Sequence, residues 1–202
     1  ERRVEKVRFP MLRQQQIITL NNRIAAVFLT APPGQLYADV LDVVRDALNS
    51  RFGYLGYIDE AGDLVCPSMT RGVWSRCQVD DKSIVFPRDS WGGLWGRSLR
   101  ERRSLRSNRG LSLPAGHIEL RCALAVPIVH GDELLGQVVV ADRPGGYGAE
   151  DQELLEGVAA QVAPILRGQL EGERRQARQR ALEQQLQHAQ KMESVGRLAG
   201  GV

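Results

Sequence analysis

The chain has 202 residues, of which 43% are hydrophobic and 25% are charged, and its formal net charge is +3. This composition is ordinary for a soluble globular protein and provides for one core with long helical extensions. The excess positive charge lies near the ends of the chain, without interleaved aromatic residues or a recognition motif, and this argues against nucleic-acid binding.

The apolar runs are all too short for a membrane span, which needs ~20 residues, and no signal peptide is present. The cysteines are Cys66, Cys77 and Cys122, an odd number without C-x-x-C spacing. Such usage fits a reducing cytosol. The sequence therefore predicts a cytoplasmic location.

Residues 1–30 are predicted to form an N-terminal signalling helix, because apolar residues recur there at heptad-like intervals. Pro10 is expected to kink or restart this helix near its start. A breaker at 31–34 separates it from a second amphipathic helix, which stops at 49–51. The inner face of the second helix comprises Leu36, Val40, Leu41, Val44 and Leu48.

Strands are predicted in the centre of the chain. Residues 52–58 are rich in aromatic and β-branched residues, and a turn at 59–63 returns the chain along 64–66 as a hairpin. Residues 67–80 are predicted to be a loop with a short helix, and a third strand covers 83–86.

A further helix is predicted to begin at Ser90, which would be its N-cap, and to run to about Arg103. A short strand at 105–107 and a loop rich in Gly and Pro, which contains His117, follow it. The loop covers residues 108–120 and has no periodic apolar pattern.

Two paired strands at 122–130 and 133–141 are joined by a tight turn and precede a loop at 142–148. Tight hairpins make the sheet antiparallel, and the predicted helices are available to cover its faces. The predicted fold class is therefore α+β.

Residues 149–202 are predicted to form one long helix that is almost free of breakers. Its first part has an apolar stripe, its middle at 171–181 is polar, and a new stripe with a phase break follows. This pattern is typical of a helix that pairs with a second copy in a parallel coiled coil. The predicted dimer interface comprises Leu182, Leu186, Ala189, Met192, Val195 and Val202.

The body of the chain, about residues 20–168, resembles a GAF domain, the sensing module of bacterial signalling proteins. The resemblance lies in the stretch ALAVPIVHGDELLGQVVVADRPGGYGAEDQELLEGVAAQVAPIL and in the helix–strand order before it. It implies an antiparallel GAF-like sheet flanked by helices, with a sensory domain at 31–168 and a coiled-coil linker at 169–202.

The tail LEQQLQHAQKMESVGRLAGGV resembles the start of a histidine-kinase dimerisation and phosphoacceptor helix, and residues 66–96 resemble a subgroup found in hybrid sensor kinases. The resemblance places the phosphoacceptor after Val202, and His188 precedes the family stretch. The fragment alone is therefore expected not to be an enzyme. Its expected partners are downstream kinase domains of the same chain.

All three tryptophans lie in a region that, in GAF domains, adjoins the ligand pocket. Two of them are spaced i, i+4 at a predicted helix start beside Gly92 and Gly93, which would permit close backbone approach. A small planar or anionic ligand is one interpretation, and ordinary core packing is the competing one. The candidate pocket residues are Trp91, Trp95, Trp74, Cys66, Ser68 and Met69. The resemblance leaves the ligand and any cofactor unknown.

Some GAF domains bind cyclic nucleotides through a loop-and-helix motif, which this chain matches only in part. The matching positions include Asp142, Arg143, Tyr147 and Asp151. In that family the motif mainly ties the loop to the final helix. The resemblance therefore implies a structural tie with an internal Arg143–Asp151 salt bridge, and cyclic-nucleotide binding is not supported.

Two alternatives remain open. The body is either a sensor or a ligand-free structural spacer that relays strain from an upstream domain, and a filled core near 91–96 would favour the spacer. A cysteine-dependent enzyme, a redox sensor or a zinc shell from Cys66, Cys77, His117 and Cys122 is the other alternative. Their spacing follows no ligand pattern, so no metal site is predicted and buried free cysteine is the default.

Overall fold

The computed structural model describes residues 2–32, 34–70, 73, 78, 83–113 and 116–199, with side chains described between residues 14 and 192. Trp74, Cys77 and Val202 lie outside the described residues, as does the side chain of Val195. The helices are α1 (Arg2–Thr30), α2 (Leu36–Ala47), α3 (Gly93–Glu101) and α4 (Ala149–Ala199). The strands are β1 (Phe52–Ile58), β2 (Leu64–Met69), β3 (Val85–Phe86), β4 (Leu105–Ser107), β5 (Ala123–His130) and β6 (Glu133–Ala141).

The strands form one six-stranded sheet in the order β3-β2-β1-β6-β5-β4, and every neighbouring pair is antiparallel. The predicted α+β class with an antiparallel sheet is confirmed. The β1–β2 and β5–β6 hairpins lie side by side because β1 pairs with β6, where Phe52 is opposite Ala141. Residues 52 and 141 therefore meet at one end of the sheet although 89 positions separate them in sequence (141 − 52).

One face of the sheet packs against helices. An alanine Cβ at Gly53 would lie 3.1 Å from Leu41 Cδ1 of α2, and the Tyr37 and Tyr57 rings lie 5.7 Å apart. Val138, Val140, Leu124 and Val126 are buried in the sheet, and Leu155, Val158 and Val162 are buried in the first turns of α4. Burying each such side chain contributes about 1.5–3 kcal/mol relative to exposure.

The opposite face is covered by α3 and the segment before it. Leu64, Cys66, Trp91 and Leu99 form a buried hydrophobic cluster there. The hydrophobic side of α3 is short because its helix has nine residues, and Leu99 is its most buried large side chain.

One local prediction is wrong. Ser90 does not cap α3, since it ends a 3₁₀ turn (Arg88–Ser90) and its hydroxyl donates to Pro87 O at 2.6 Å, so Gly92 takes the N-cap position. At Pro10 the first helix does not restart, because α1 is continuous from Arg2 to Thr30, and a kink there stays a prediction. A proline inside a helix removes one backbone donor without necessarily ending the helix.

The strand β2 is longer than predicted and continues past Pro67 to Met69. Its partner β3 pairs only with Leu64 and Val65. Pro67 lies at the irregularity of the β1–β2 register, between the paired residues Val65 and Ser68, and such a bulge is one of the positions in which a sheet tolerates proline.

The chain divides by its contacts into two compact units, Glu1–Ala163 and Pro164–Val202. Within α4, Pro164 cannot donate a backbone hydrogen bond to the preceding turn. Among the helices that the structure describes, none has the length together with the apolar character that crossing a bilayer requires.

Candidate functional site

The predicted tryptophan pocket is packed with side chains. Trp91 is 5% exposed, and its indole N–H donates to Phe86 O at 3.1 Å. Trp95 is partly buried and meets the Phe86 ring edge-on, with ring centroids 5.7 Å apart. Trp91 and Trp95 therefore pack in one cluster with Phe86.

In the region of the tryptophans, Gly96 is the glycine that permits close approach to the Trp91 backbone. An alanine Cβ there would lie 2.9 Å from both Trp91 Cα and Cβ, and closer still to the Trp91 carbonyl carbon. Gly92 has no such neighbour, since its nearest atom would be 3.8 Å away. Gly93 instead adopts a φ of +57°, a left-handed conformation that favours glycine.

A buried amide joins the sheet to α3. The side chain of Gln137 in β6 donates from Nε2 to Trp95 O at 3.0 Å and accepts from the Tyr54 hydroxyl at 2.6 Å. Burial, and secondarily the neighbouring Cys66 thiol, raises the pKa of Tyr54 well above its usual value. Gln137 was not among the predicted site residues, and its signal in the sequence is a single amide in the apolar run LLGQVVVA.

The predicted pocket residues do not all share one side of the sheet. Cys66 and Met69 contact the cluster that includes Trp91 and Trp95. Ser68 is opposite Leu55, whereas Met69 is opposite Tyr54. Ser68 therefore points to the face of the sheet that packs against α2, away from Trp91 and Trp95. In a regular strand Cys66 and Ser68 would share one side, but an irregularity in the β1–β2 register between Leu55 and Tyr57 separates them.

The described cysteines are buried and free. Burial raises the pKa of the Cys66 thiol to about 12, which keeps it neutral and a poor nucleophile. The Cys122 thiol donates weakly to Arg143 O at 3.4 Å. Within the described part of the chain, no three His, Cys, Asp or Glu side chains come together in a group that could hold a metal ion.

We expect Cys66 to react slowly with iodoacetamide. In a Cys77→Ser/Cys122→Ser background, alkylation at mildly alkaline pH should be at least about tenfold slower than in guanidinium chloride, because reaction needs an exposed thiolate. Since folding raises the pKa of this thiol, its contribution to stability is complete below the ordinary thiol pKa and is lost as the pH rises towards 12. Equal alkylation rates, measured by mass spectrometry, would contradict the inert assignment.

The loop at 142–148 is tied to the start of α4 by the side chains that the resemblance indicated. Arg143 Nη1 lies 3.2 Å from Asp151 Oδ2 and donates to Gly146 O at 2.8 Å. Asp151 Oδ2 also accepts the Gly148 N–H at 2.8 Å, beside the first turn of the helix. A carboxylate at this position complements the helix dipole as well as the arginine.

Hydrogen bonds with three further residues fasten the same loop beside the sheet. The Tyr147 N–H donates to Asn108 Oδ1 at 2.7 Å, while Asn108 Nδ2 donates to Tyr147 O at 3.1 Å. The Tyr147 hydroxyl lies 2.7 Å from Ser50 Oγ. Asp142 Oδ1 accepts the Arg121 N–H at 2.7 Å, and Asp142 has a φ of +60°. The tie is therefore a network that reaches the residues just before β1 and β5 and just after β4.

A cleft of about 600 Å³ opens where β1 begins and β6 ends, and neither Trp91 nor Trp95 lines it. We call it the β1–β6 cleft. Its lining includes Arg51, Phe52, His117, Glu119, Arg121 and Asp142. This cleft was not predicted, because its residues come from separate stretches of the sequence that the β1–β6 pairing brings together. A groove of about 380 Å³ also lies beside α1.

Comparison with known proteins identifies the architecture. A family model that describes the GAF domain matches residues 30–167. The GAF domain of a phosphoenolpyruvate-protein phosphotransferase from Coxiella burnetii is similar, with a TM-score of 0.62, 19% identity and coverage of 79% of this chain and 98% of that chain. The corresponding Acinetobacter GAF domain has a TM-score of 0.61, 15% identity and coverage of 76% and 93%.

An enzyme shares the fold as well. Free methionine-R-sulfoxide reductase from Neisseria meningitidis, solved in complex with its substrate, has a TM-score of 0.55, 15% identity and coverage of 82% of this chain and 92% of that chain. At such identities these likenesses concern the fold alone. None of the curated proteins matches this sequence.

Proposed function

The chain belongs to the GAF domain family, and on this premise we propose that it is the sensory region of a cytoplasmic, bacterial two-component sensor histidine kinase. In this proposal the GAF body receives a small-molecule or upstream signal. Two chains associate in parallel, and α4 passes the signal to kinase domains downstream in the same protein.

The observation that carries the proposal is an exposed apolar stripe on α4. Leu182, Leu186 and Met192 are 55%, 63% and 61% exposed. Ala189 is also exposed and lies within the same stripe. Large aliphatic side chains at such spacing are stabilised by burial against a second helix. A second copy of this chain supplies an identical stripe, which suits a parallel homodimer.

The polar part of α4 supports a relay. Between 171 and 181 the helix is mostly exposed, and intrahelical pairs such as Arg167–Glu171 at 3.0 Å and Gln179–Glu183 at 3.0 Å stabilise it. Such pairs contribute only about 0.2–0.5 kcal/mol each and do not fix the position of a partner helix. A modest bias can then select between two packings of the paired helices.

The loop tie provides a physical connection for that bias. Arg143 and Gly148 both contact Asp151 in the first turn of α4, so movement of the 142–148 loop acts directly on the start of the helix. The ion pair is partly exposed, which makes it a weak and adjustable link rather than a fixed joint.

A single charge in the stripe tests the dimer. We expect Leu186→Glu to raise the dimer dissociation constant at least about tenfold, because the carboxylates would face each other across the seam. The matched control is Gln184→Glu, which adds the same charge on the opposite side of the helix. Multi-angle light scattering gives the masses. A wild-type monomer at tens of micromolar, or equal effects of the two variants, would refute the parallel pairing.

The alternative function is a ligand-free dimerisation spacer that relays strain from an upstream domain. The close packing of Trp91 against Phe86 and Gly96 favours this alternative for the tryptophan region. Native mass spectrometry of freshly purified protein, with a search for a bound small molecule, distinguishes sensor from spacer. An enzyme that uses Cys66 as its nucleophile is disfavoured, because this thiol is buried and neutral.

A further inference from the structure

We propose that the β1–β6 cleft binds a small zwitterion of the free amino-acid class. The proposal deepens the sensory function above and rests on it, because it names the ligand whose binding α4 would report. The volume of the cleft, about 600 Å³, lies within the range of small-molecule binding sites.

Two arginines supply the positive charge of the cleft lining. Arg51 and Arg121 are exposed, and within the part of the chain that the structure describes neither guanidinium group forms an ion pair. The Arg51 guanidinium carbon lies 5.0 Å from the centre of the Phe52 ring, which orients this side chain. Guanidinium groups with unoccupied donors are well suited to a ligand carboxylate, which they can bind with two parallel hydrogen bonds.

Asp142 and Glu119 supply the negative charge of the same lining. Asp142 is only 7% exposed, and the Arg121 N–H fixes its Oδ1 at 2.7 Å. A carboxylate held in this way provides a fixed acceptor for an ammonium group. A ligand with one charge would be attracted by half of the lining and repelled by the other half, whereas a zwitterion satisfies both.

The remaining lining is compatible with a ligand side chain. Phe52 and Ile118 supply apolar surface. His117 Nδ1 lies 2.8 Å from Ile118 O, so in the neutral ring a proton on Nδ1 leaves Nε2 as an acceptor. These groups supply contacts to the side chain of the ligand.

Ligand binding in this cleft has a direct route to α4. Asp142 immediately precedes Arg143, whose side chain pairs with Asp151 in the first turn of the helix. An ammonium group on Asp142 is therefore one peptide unit from the tie. Asp142 also adopts a left-handed φ of +60°, which concentrates conformational strain at the residue that would contact the ligand.

Thermal-shift and calorimetric titrations with a panel of free L-amino acids test the proposal. We expect at least one to raise the Tm, and its carboxyl amide and its N-acetyl derivative, which each lack one charge, to bind at least about tenfold more weakly. Equal binding of the derivatives, or no binding by any amino acid at millimolar concentration, would overturn it.

Variants assign the site. Arg51→Gln and Arg121→Gln should each weaken binding at least about tenfold, whereas Arg109→Gln, an exposed arginine outside the cleft, should leave it unchanged. Circular dichroism verifies folding, and Glu119→Gln gives a second, ammonium-side variant. If the amino acid binds while light scattering shows only monomer, the cleft stands and the relay fails. If the dimer forms without amino-acid binding, the cleft assignment is wrong.

Discussion

Replacing Gly96 by alanine should destabilise the folded protein by about 3 kcal/mol, although glycine-to-alanine changes inside helices usually stabilise them by about 1 kcal/mol. The added methyl group would lie 2.9 Å from Trp91 Cα and Cβ. These atoms cannot move freely, because the Trp91 indole N–H donates a hydrogen bond to Phe86 O and the Arg100 guanidinium donates one to the Trp91 carbonyl oxygen. Relief of the contact therefore requires α3 to move away from the segment before it.

Gly157 provides a matched control for this prediction. It lies in α4, and an alanine Cβ there would meet no atom within 4 Å. Gly157→Ala should therefore raise the free energy of unfolding by up to about 1 kcal/mol. Urea denaturation followed by circular dichroism measures both variants. A Gly96→Ala protein as stable as Gly157→Ala would show that Trp91 is not packed as described.

The second large effect should come from the buried amide in β6. Gln137→Leu should lower the free energy of unfolding by about 2–3 kcal/mol, because the buried Tyr54 hydroxyl loses its acceptor and Trp95 O loses a donor. Tyr54→Phe should also destabilise the protein, since it leaves Gln137 Oε1 unpaired. The double variant removes both partners of the 2.6 Å hydrogen bond and should be more stable than the sum of the single effects by at least about 1 kcal/mol.

A second pair of substitutions controls for non-specific coupling. Ser50→Ala removes the hydroxyl that contacts Tyr147, which belongs to a different network. Combined with Gln137→Leu, its effect on the free energy of unfolding should be additive. Additivity in the Gln137–Tyr54 pair, measured by the same denaturation experiment, would mean that the amide does not hold the hydroxyl in solution.

Periodicity predicted the element order because alternating and helical patterns are strong where a chain packs on one face only. The helix that begins at Ala149 follows directly from such a pattern, whereas the paired strands at 122–130 and 133–141 follow from two continuous apolar runs around a tight turn. The capping error at Ser90 has a local cause, since the same hydroxyl can satisfy a turn carbonyl as easily as a helix N–H. Here Pro87 O takes it.

Side-chain direction was harder to predict than strand position. The irregular register of β1 and β2 places Ser68 on the opposite face of the sheet from Tyr54 and Met69. No residue type in the sequence predicts such a register shift. Likewise, the spacing of Trp91 and Trp95 does not reveal whether aromatic rings surround a void or contact each other. In this protein they pack, and Trp95 meets Phe86.

The β1–β6 cleft could not be predicted from single residues. Its charged groups are those of Arg51, Glu119, Arg121 and Asp142. The pairing of Phe52 with Ala141 brings the first of them next to the last. Without an alignment, long-range strand pairing has no local signature. The 142–148 loop was easier, because its resemblance to a known motif named the residues that contact each other.

The reciprocal hydrogen bonds between Asn108 and Tyr147 also determine where this domain accepts engineering. They fix Tyr147 near the end of the 142–148 loop, so a reporter or epitope inserted beside Tyr147 would have to break both bonds. The turn at Gly62 is the better position for an inserted tag or biosensor module, because, among the described residues, the hydrogen bonds of Asp59 stay within that turn and the Asp63 carboxylate accepts only the Arg88 N–H from outside it. A fluorescent reporter of ligand binding is therefore best built at the β1–β2 turn, which leaves the link to α4 intact.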